Sequence, residues 1–321
     1  LRKRYRNVLT KYKDLKMLKS ILIVGSSNVD MVVRTARFPK PGETLLGGDF
    51  LMNAGGKGAN QAVAAARLGG NVTFICKLGK DVFGSQSSKL FEAEGINTSH
   101  ILLDDEKPSG VALITVDDAG ENNIVVAPGA NARLSPEDLD KLSPVIDQAG
   151  FILMQLEIPL ETVIFVAKRA FASGAKVILN PAPACTLPDE LYGYLSIITP
   201  NEKEASLLTG IEVTDIASAK RAAKALQAKG VQQVIITMGE QGALILDGDE
   251  FTSVAAPVVE AIDTTAAGDV FNGALIVALS EGADIIKAAS FACQASAISV
   301  TRFGAQVSIP LRKEIKDYTS N

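Results

Sequence analysis

The 321-residue chain has no tryptophan, one histidine and three cysteines. The histidine, His100, falls in a polar loop, and any Ser-His-Asp triad would have to use it. Cys76, Cys185 and Cys293 lie far apart without a C-x-x-C pair. That spacing excludes a disulfide framework and a zinc site and fits a reducing, cytoplasmic compartment. No apolar run reaches the length of a membrane span, so no membrane partner is expected. A net charge of −4 carries no footprint for nucleic acid. No repeat or low-complexity tract occurs. No G-x-G-x-x-G follows the first apolar run, which argues against an NAD-linked oxidoreductase. The sequons Asn71-Val72-Thr73 and Asn97-Thr98-Ser99 read as chance matches, no signal peptide being recognisable.

What is present is a globular chain with ample core, 47% hydrophobic, of a length for one large domain or two ordinary ones. The first twenty residues differ from the rest, carrying +7 against −11 for the remainder. We read residues 1–20 as a basic extension, disordered or vector-derived, with Met17 as the natural start and a targeting segment as the alternative. Residues 317–321 are read as a tail.

Apolar strands alternate with helical patterns along the body, which predicts a mostly parallel sheet covered on both faces. Strands are expected at Ile21–Gly25, Val72–Leu78, Phe151–Leu156, Lys176–Leu179, Ile197–Ile198, Gln233–Thr237 and Ala243–Leu246. Helices are expected after Gly58 as far as Leu68, then over Phe83–Glu94, Glu161–Ala172, Ala217–Lys229 and Asp284–Thr301. Two β-rich stretches, about 31–52 and 108–127, break the alternation. They read as a second small sheet, a lid, with a hairpin turn at Asp117–Gly120.

The chain is organised around Ala261 to Gly273. An apolar, strand-like run, Val254–Ile262, ends in Asp263-Thr264, and a helix through about Ser280 follows a small-residue turn. Ala266, Ala267 and Gly268 leave backbone N–H groups uncovered where that helix starts, which makes an anion site. Asp269 sits inside the positive end. A carboxylate there suits a base that deprotonates a hydroxyl while the amides hold the phosphoryl group under attack. Gly55-Gly56-Lys57-Gly58-Ala59-Asn60-Gln61-Ala62 is a second glycine-rich helix start. It is not a Walker A loop, because Gly58 stands where Ser or Thr is needed.

Five stretches stand together: Gly25–Asp30, Gly55–Ala62, Asn201–Glu204, Thr237–Gly242 and Asp263–Asp269. In that order and spacing they resemble the ribokinase-like sugar kinases, over about residues 21–316. The resemblance implies a three-layer α/β fold with a small β lid, and transfer of phosphate from MgATP to the 5-hydroxyl of D-ribose in the cytoplasm. It implies that Asn28, Asp30, Gly56, Lys57, Gly58, Asn60 and Glu157 surround the sugar. Asn201 and Glu204 would organise Mg²⁺ through water, and Thr237, Gly239, Glu240, Gln241 and Gly242 would cover the nucleotide phosphates and ribose. Ala266, Ala267 and Gly268 would form the anion hole, with Asp269 as base. Cys293 stands where the family has a variable nucleotide contact, though a small buried cysteine is the simpler reading. Asp263, Thr265, Ser299, Arg302, Gly304 and Ser308 would give oxygens to K⁺. The lid would have free edges and an apolar face, which makes a homodimer through it the expected assembly. The alternatives are a kinase for deoxyribose, fructose or a nucleoside, or a silent sugar-binding regulator. An intact Asp269 and anion turn argue against the last.

Overall fold

The computed structural model describes residues 20–315. The basic extension as far as Lys19, and the tail, lie outside the described residues. Eight strands form the central sheet: β1 (Ile21–Val24), β4 (Val72–Ile75), β9 (Phe151–Met154), β10 (Lys176–Leu179), β11 (Ile197–Ile198), β12 (Gln233–Thr237), β13 (Ala243–Asp247) and β14 (Glu250–Val254). Their order is β14-β13-β12-β11-β10-β9-β1-β4. From β12 to β4 every pair is parallel, and β13 and β14 extend the sheet as antiparallel neighbours.

The helices are α1 (Lys57–Arg67), α2 (Val82–Ala93), α3 (Pro136–Asp140), α4 (Ser143–Gln148), α5 (Leu160–Ser173), α6 (Asp189–Tyr192), α7 (Glu202–Thr209), α8 (Ile216–Ala228), α9 (Ala267–Ser280) and α10 (Ile285–Ser299). Strand β1 shows why the sheet is covered on both sides. Ile21 and Ile23 join the core on the face covered by α1, α9 and α10, whereas Leu22 and Val24 join the core on the face covered by α5 and α8. A strand with two buried faces has no polar alternation, so its sequence is a continuous apolar run. Each such aliphatic side chain contributes about 1.5–3 kcal/mol by leaving water.

The lid is a four-stranded sheet of order β3-β2-β7-β8, built from β3 (Phe50–Gly55), β2 (Asn28–Arg34), β7 (Gly110–Val116) and β8 (Asn122–Ala127). It starts three residues earlier than the sequence pattern indicates. Asn28 already pairs with Gly55 and Gly110, so Asn28 and Asp30 belong to the lid rather than to the end of β1. Of the β-rich stretch 31–52 only its two ends pair, in β2 and β3. The hairpin turn forms as expected, with Gly120 at φ 80°.

Two other expectations differ. The run 72–78 is two strands: β4 stays in the main sheet, while β5 (Lys77–Gly79) pairs with β6 (Leu102–Asp104). The apolar pattern continues through Cys76, but the pairing partner changes, and periodicity carries no record of partners. The run Val254–Ile262 is not a strand beyond Val254. Pro257 has no N–H for a ladder. Val258 and Ile262 stand exposed, and residues of the segment edge a cleft. Asp263 therefore follows a loop.

Candidate active site

Helix α9 is apolar nearly all round because it lies between α1 and α10. Its approach to α1 depends on Gly273. A Cβ there would come within 2.6 Å of the Ala64 Cβ and 2.9 Å of the Gln61 carbonyl. This close approach brings the first turn of α9 onto the first turn of α1. Asp269 is buried, and each of its carboxylate oxygens accepts one side-chain amide N–H. Asn60 Nδ2 donates to Oδ2 and Gln61 Nε2 to Oδ1, both at 2.9 Å. Burial pushes the Asp269 carboxyl above its ordinary range and Glu157 adds to this. Lys57 and the two amides oppose it.

The turn before α9 is strained. Ala266, the N-cap, holds φ 61°, and it is the one non-glycine residue at positive φ among the described residues. That conformation costs an L-residue about 1–2 kcal/mol. It directs the chain so that the space above Gly268 stays open. The Ala267 N–H donates to the Thr264 carbonyl at 3.2 Å, and the Ala267 carbonyl accepts from Ser296 Oγ at 3.0 Å. The N–H groups of Gly268 and Asp269 carry the open end of the helix, because the first amides of a helix have no partner within it.

On one side of Asp269 lie the residues expected around a sugar. Glu157 follows β9, and its Oε2 accepts from Ser26 Oγ at 2.6 Å and from the Lys57 N–H at 2.9 Å. The carboxylate of Asp30 lies over Gly55, where an added Cβ would fall 2.2 Å from Oδ2. Burial, then Glu157, then Asp269 push the Asp30 carboxyl up to about 6. Burial alone would lower Lys57, but Asp269, Glu157 and Glu204 outweigh it and raise it. Asn28 Oδ1 accepts from Asn131 Nδ2 at 2.8 Å. Gly56 caps α1, Lys57 and Gly58 open it, and Asn60 lies one turn in.

On the other side a cleft of about 990 Å³ holds most of the residues expected around a nucleotide. Thr237, Gly239, Glu240, Gln241 and Gly242 edge it from the β12–β13 connection. Ala266 to Asp269 line it together with Lys57, and Lys57 and Asp269 also neighbour Glu157 and Asp30. Cys293 lines the same cleft from α10, and burial pushes its thiol up to about 11. Asn201 and Glu204 form a capping box at the start of α7. The Asn201 side chain accepts from the Glu204 N–H and Glu204 Oε2 accepts from the Asn201 N–H. Glu204 Oε1 has no hydrogen bond among the described residues, so this pair fits a hydrated divalent cation at the cleft. Burial raises the Glu204 carboxyl, while the Asn201 N–H and Lys57 pull it down.

The third group lies behind the turn. Asp263 Oδ1 accepts from the Thr265 N–H at 2.9 Å, a local Asx turn. Its Oδ2 accepts from the Gly304 N–H at 2.8 Å, which joins two loops 41 residues apart. Both Ile262 and Asp263 donate N–H to the Val300 carbonyl. Burial opposes ionisation of Asp263, but these hydrogen bonds outweigh it and hold the carboxyl below its ordinary range. The Ser299 carbonyl accepts from the Arg302 N–H, and Ser308 Oγ donates to the Ala305 carbonyl. Each of those oxygens keeps a lone pair free for a large monovalent cation. The Arg302 side chain instead pairs with Glu314.

Several residues of the site carry no distinct signal in the sequence. Asn131 bonds both the N–H and the carbonyl of Ser27 and the side chain of Asn28. Gln155, Asn180 and Thr199 stand just past the ends of β9, β10 and β11 and are buried beneath Asp269. The available signal is position: polar residues at the carboxyl ends of parallel strands line the ligand edge of such a sheet.

An α/β body, a β lid and a cleft that joins a polar carboxylate pocket to a helix start define a class, the kinases that phosphorylate small carbohydrates. Residues 18–312 match the pfkB family carbohydrate kinase, and the chain belongs to that family. It is 46% identical to the ribokinase of Haemophilus influenzae over 302 residues, 94% of this chain and 99% of that protein. It is 39% identical to the deoxyribokinase of Salmonella typhi over 301 residues, 94% of this chain and 98% of that protein. The structure of Arabidopsis thaliana ribokinase complexed with ribose and ATP superposes with a TM-score of 0.88 at 33% identity, covering 92% of this chain and 97% of the other. The expected family and fold are borne out.

Proposed function

We propose that the chain phosphorylates the 5-hydroxyl of D-ribose from ATP, giving D-ribose 5-phosphate and ADP. The observation that carries this is Asp269, one carboxylate at a helix start shared by the polar pocket and the large cleft. Asp30, Glu157, Asn28 and Asn60 hold the sugar hydroxyls, with Gly56, Lys57 and Gly58 closing over it. Asp269 takes the proton of the 5-hydroxyl, and the oxygen so freed attacks the γ-phosphorus as the bond to ADP breaks. The amides at Ala266–Gly268 stabilise charge on the transferring group. In the starting geometry Gly268 leads, since the Ala267 N–H is shared with Thr264.

Mg²⁺ bound with ATP would neutralise phosphate charge, held through water by Asn201 and Glu204. Residues 237–242 cover the nucleotide, with Cys293 at its edge. K⁺ at Asp263, Thr265, Ser299, Arg302, Gly304 and Ser308 would steady the turn. We place residues 21–316 in one kinase domain with its lid, working in the cytoplasm, where ATP is available and free thiols persist. A homodimer through the lid is favoured by the exposed Leu113, Ile124, Val125 and Val126.

Coupled ADP release across a panel of ribose, 2-deoxyribose, fructose and nucleosides tests the reading. Ribose is expected to give the highest kcat/KM, and Asp269→Asn to lower kcat by about 10²–10⁴ with little change in sugar affinity. A higher kcat/KM on 2-deoxyribose would favour the activity named for the Salmonella relative, and no sugar-dependent ADP release would remove the enzyme reading.

A further inference from the structure

The amide of Gln61 is held from three directions. Its Nε2 donates to Asp269 Oδ1 at 2.9 Å and to Asn180 Oδ1 at 3.0 Å. Its Oε1 accepts from Gln155 Nε2 at 2.5 Å. Asn180 is fixed in turn, because its Nδ2 donates to the Thr199 carbonyl at 3.3 Å. Gln61 and Gln155 are wholly buried, and Asn180 and Thr199 nearly so. An amide has two donor hydrogens and one acceptor oxygen, and here all are used. A flip of Gln61 would set its oxygen against Asp269 Oδ1 and Asn180 Oδ1, two acceptor–acceptor contacts in a buried place, and would strip Gln155 of its acceptor.

The network has a direction. Three neighbouring strands, β9, β10 and β11, each supply one group just beyond their carboxyl ends: Gln155, Asn180 and Thr199. Groups at the ends of three central-sheet strands thereby hold Gln61, and Gln61 holds Oδ1. The other oxygen, Oδ2, lies with Asn60, whose own Oδ1 is buried without a partner. Gln155 Oε1 is likewise buried without a partner, but only Asn60 stands beside Oδ2.

We propose that Gln61 is a positioning residue for Asp269: clamped by Gln155 and Asn180, it holds Oδ1 toward the sheet and leaves Oδ2 to receive the proton of the substrate hydroxyl. The proposal rests on the kinase reading above. Gln61 does not touch the reacting atoms and acts through the carboxylate it orients.

The test is the pH dependence of kcat/KM for Gln61→Met and Gln155→Met, which keep length and remove donors. The charged groups that face Asp269 are Lys57 at the start of α1, Glu157 after β9, Asp30 on the lid and Glu204 on α7, and neither variant alters them. Losing the Gln61 donor removes a bond that favours the carboxylate. The acid limb of the profile should therefore move to higher pH, by about one unit. Gln155→Met frees Gln61 to rotate and should move it the same way by less. A second readout, the titration of the Asp269 carboxyl carbon in ¹³C-aspartate-labelled protein, needs no turnover. It separates the proposal from the kinase reading: if no sugar supports ADP release, the carboxyl titration still decides. Raised carboxyl titration in both variants supports the positioning role. Lower rates or a lower Tm with the acid limb and the carboxyl titration unmoved would overturn it. Should Gln61→Met fail to fold, Gln155→Met, which does not touch Asp269, carries the same two outcomes.

Discussion

Replacing Asp30 by Asn should make the ligand-free protein more stable at pH 8 while weakening its grip on sugar. The carboxylate sits on β2 opposite Asn53. Among the described residues it accepts no hydrogen bond, and Glu157 and Asp269 repel it. A carboxyl moved from its ordinary 3.8 to about 6 destabilises the ionised fold by about 3 kcal/mol at most. Asp30 is half-buried, and water screens part of this, so the gain expected for Asp30→Asn is about 1–3 kcal/mol. Because the pKa is raised in the fold, the penalty is full above about pH 6 and fades as pH falls toward 3.8, where the folded state has taken up the proton. Urea unfolding of both proteins, without sugar or nucleotide, at pH 8, 6 and 5 reads the difference directly. The variant should lead most at pH 8 and least at pH 5, while its kcat/KM for ribose falls by about 10²-fold or more. A variant that is less stable at pH 8, or whose advantage does not change with pH, refutes the electrostatic argument.

Ribose should be preferred over 2-deoxyribose, since a pocket built around an unsatisfied carboxylate suffers when a donor hydroxyl is missing, and we assign Asp30 to the 2-hydroxyl; equal kcat/KM for the two sugars would refute that assignment. Activity should rise severalfold in K⁺ over Na⁺ at constant ionic strength, and Asp263→Ala should abolish the difference. Identical rates in the two salts for the unmodified chain would remove the cation site and leave the kinase reading intact. Val125→Glu, on the exposed strand β8, should yield a monomer by sedimentation with the melting temperature unchanged. An unmodified chain that already sediments as a monomer at micromolar concentration would count against the lid interface.

Where the sequence was legible, one local rule was enough. The apolar runs of β1 and β9 to β12 announce strands buried on two faces, and glycine-rich or small-residue starts announce α1 and α9. Asp269 was visible because a helix start and a carboxylate are neighbours in the chain. The clamp on Asp269 was not, because Gln61, Gln155, Asn180 and Thr199 meet only when three strands stand side by side, and no period in a sequence records which strands are adjacent. Asn131 escaped for the same reason, acting on Ser27 and Asn28 from 104 and 103 residues away. The run 255–262 was misread because an apolar stretch can edge a cleft as well as fill a core. Pro257 was the local sign against a ladder.

The ligand-free site gathers four carboxylates, Asp30, Glu157, Glu204 and Asp269, around one lysine, Lys57. Burial and mutual repulsion raise three of these acids, and a strained Ala266 sits at their edge. Burial and repulsion of these carboxylates oppose folding, although Glu204 also closes the capping box of α7. A fold selected for stability alone would place apolar or amide side chains there. The arrangement is consistent once the reactants are counted. On the kinase reading proposed above, sugar hydroxyls would supply the donors that Asp30 and Asn60 lack. A hydrated divalent cation would offset Glu204, and a developing phosphoryl charge would meet the amides that Ala266 holds open. Each group that destabilises the empty protein is complementary to a different part of the reacting complex. On that reading the unfavourable electrostatics of the free site would become differential binding of the state in which the proton leaves the hydroxyl and the phosphoryl group moves.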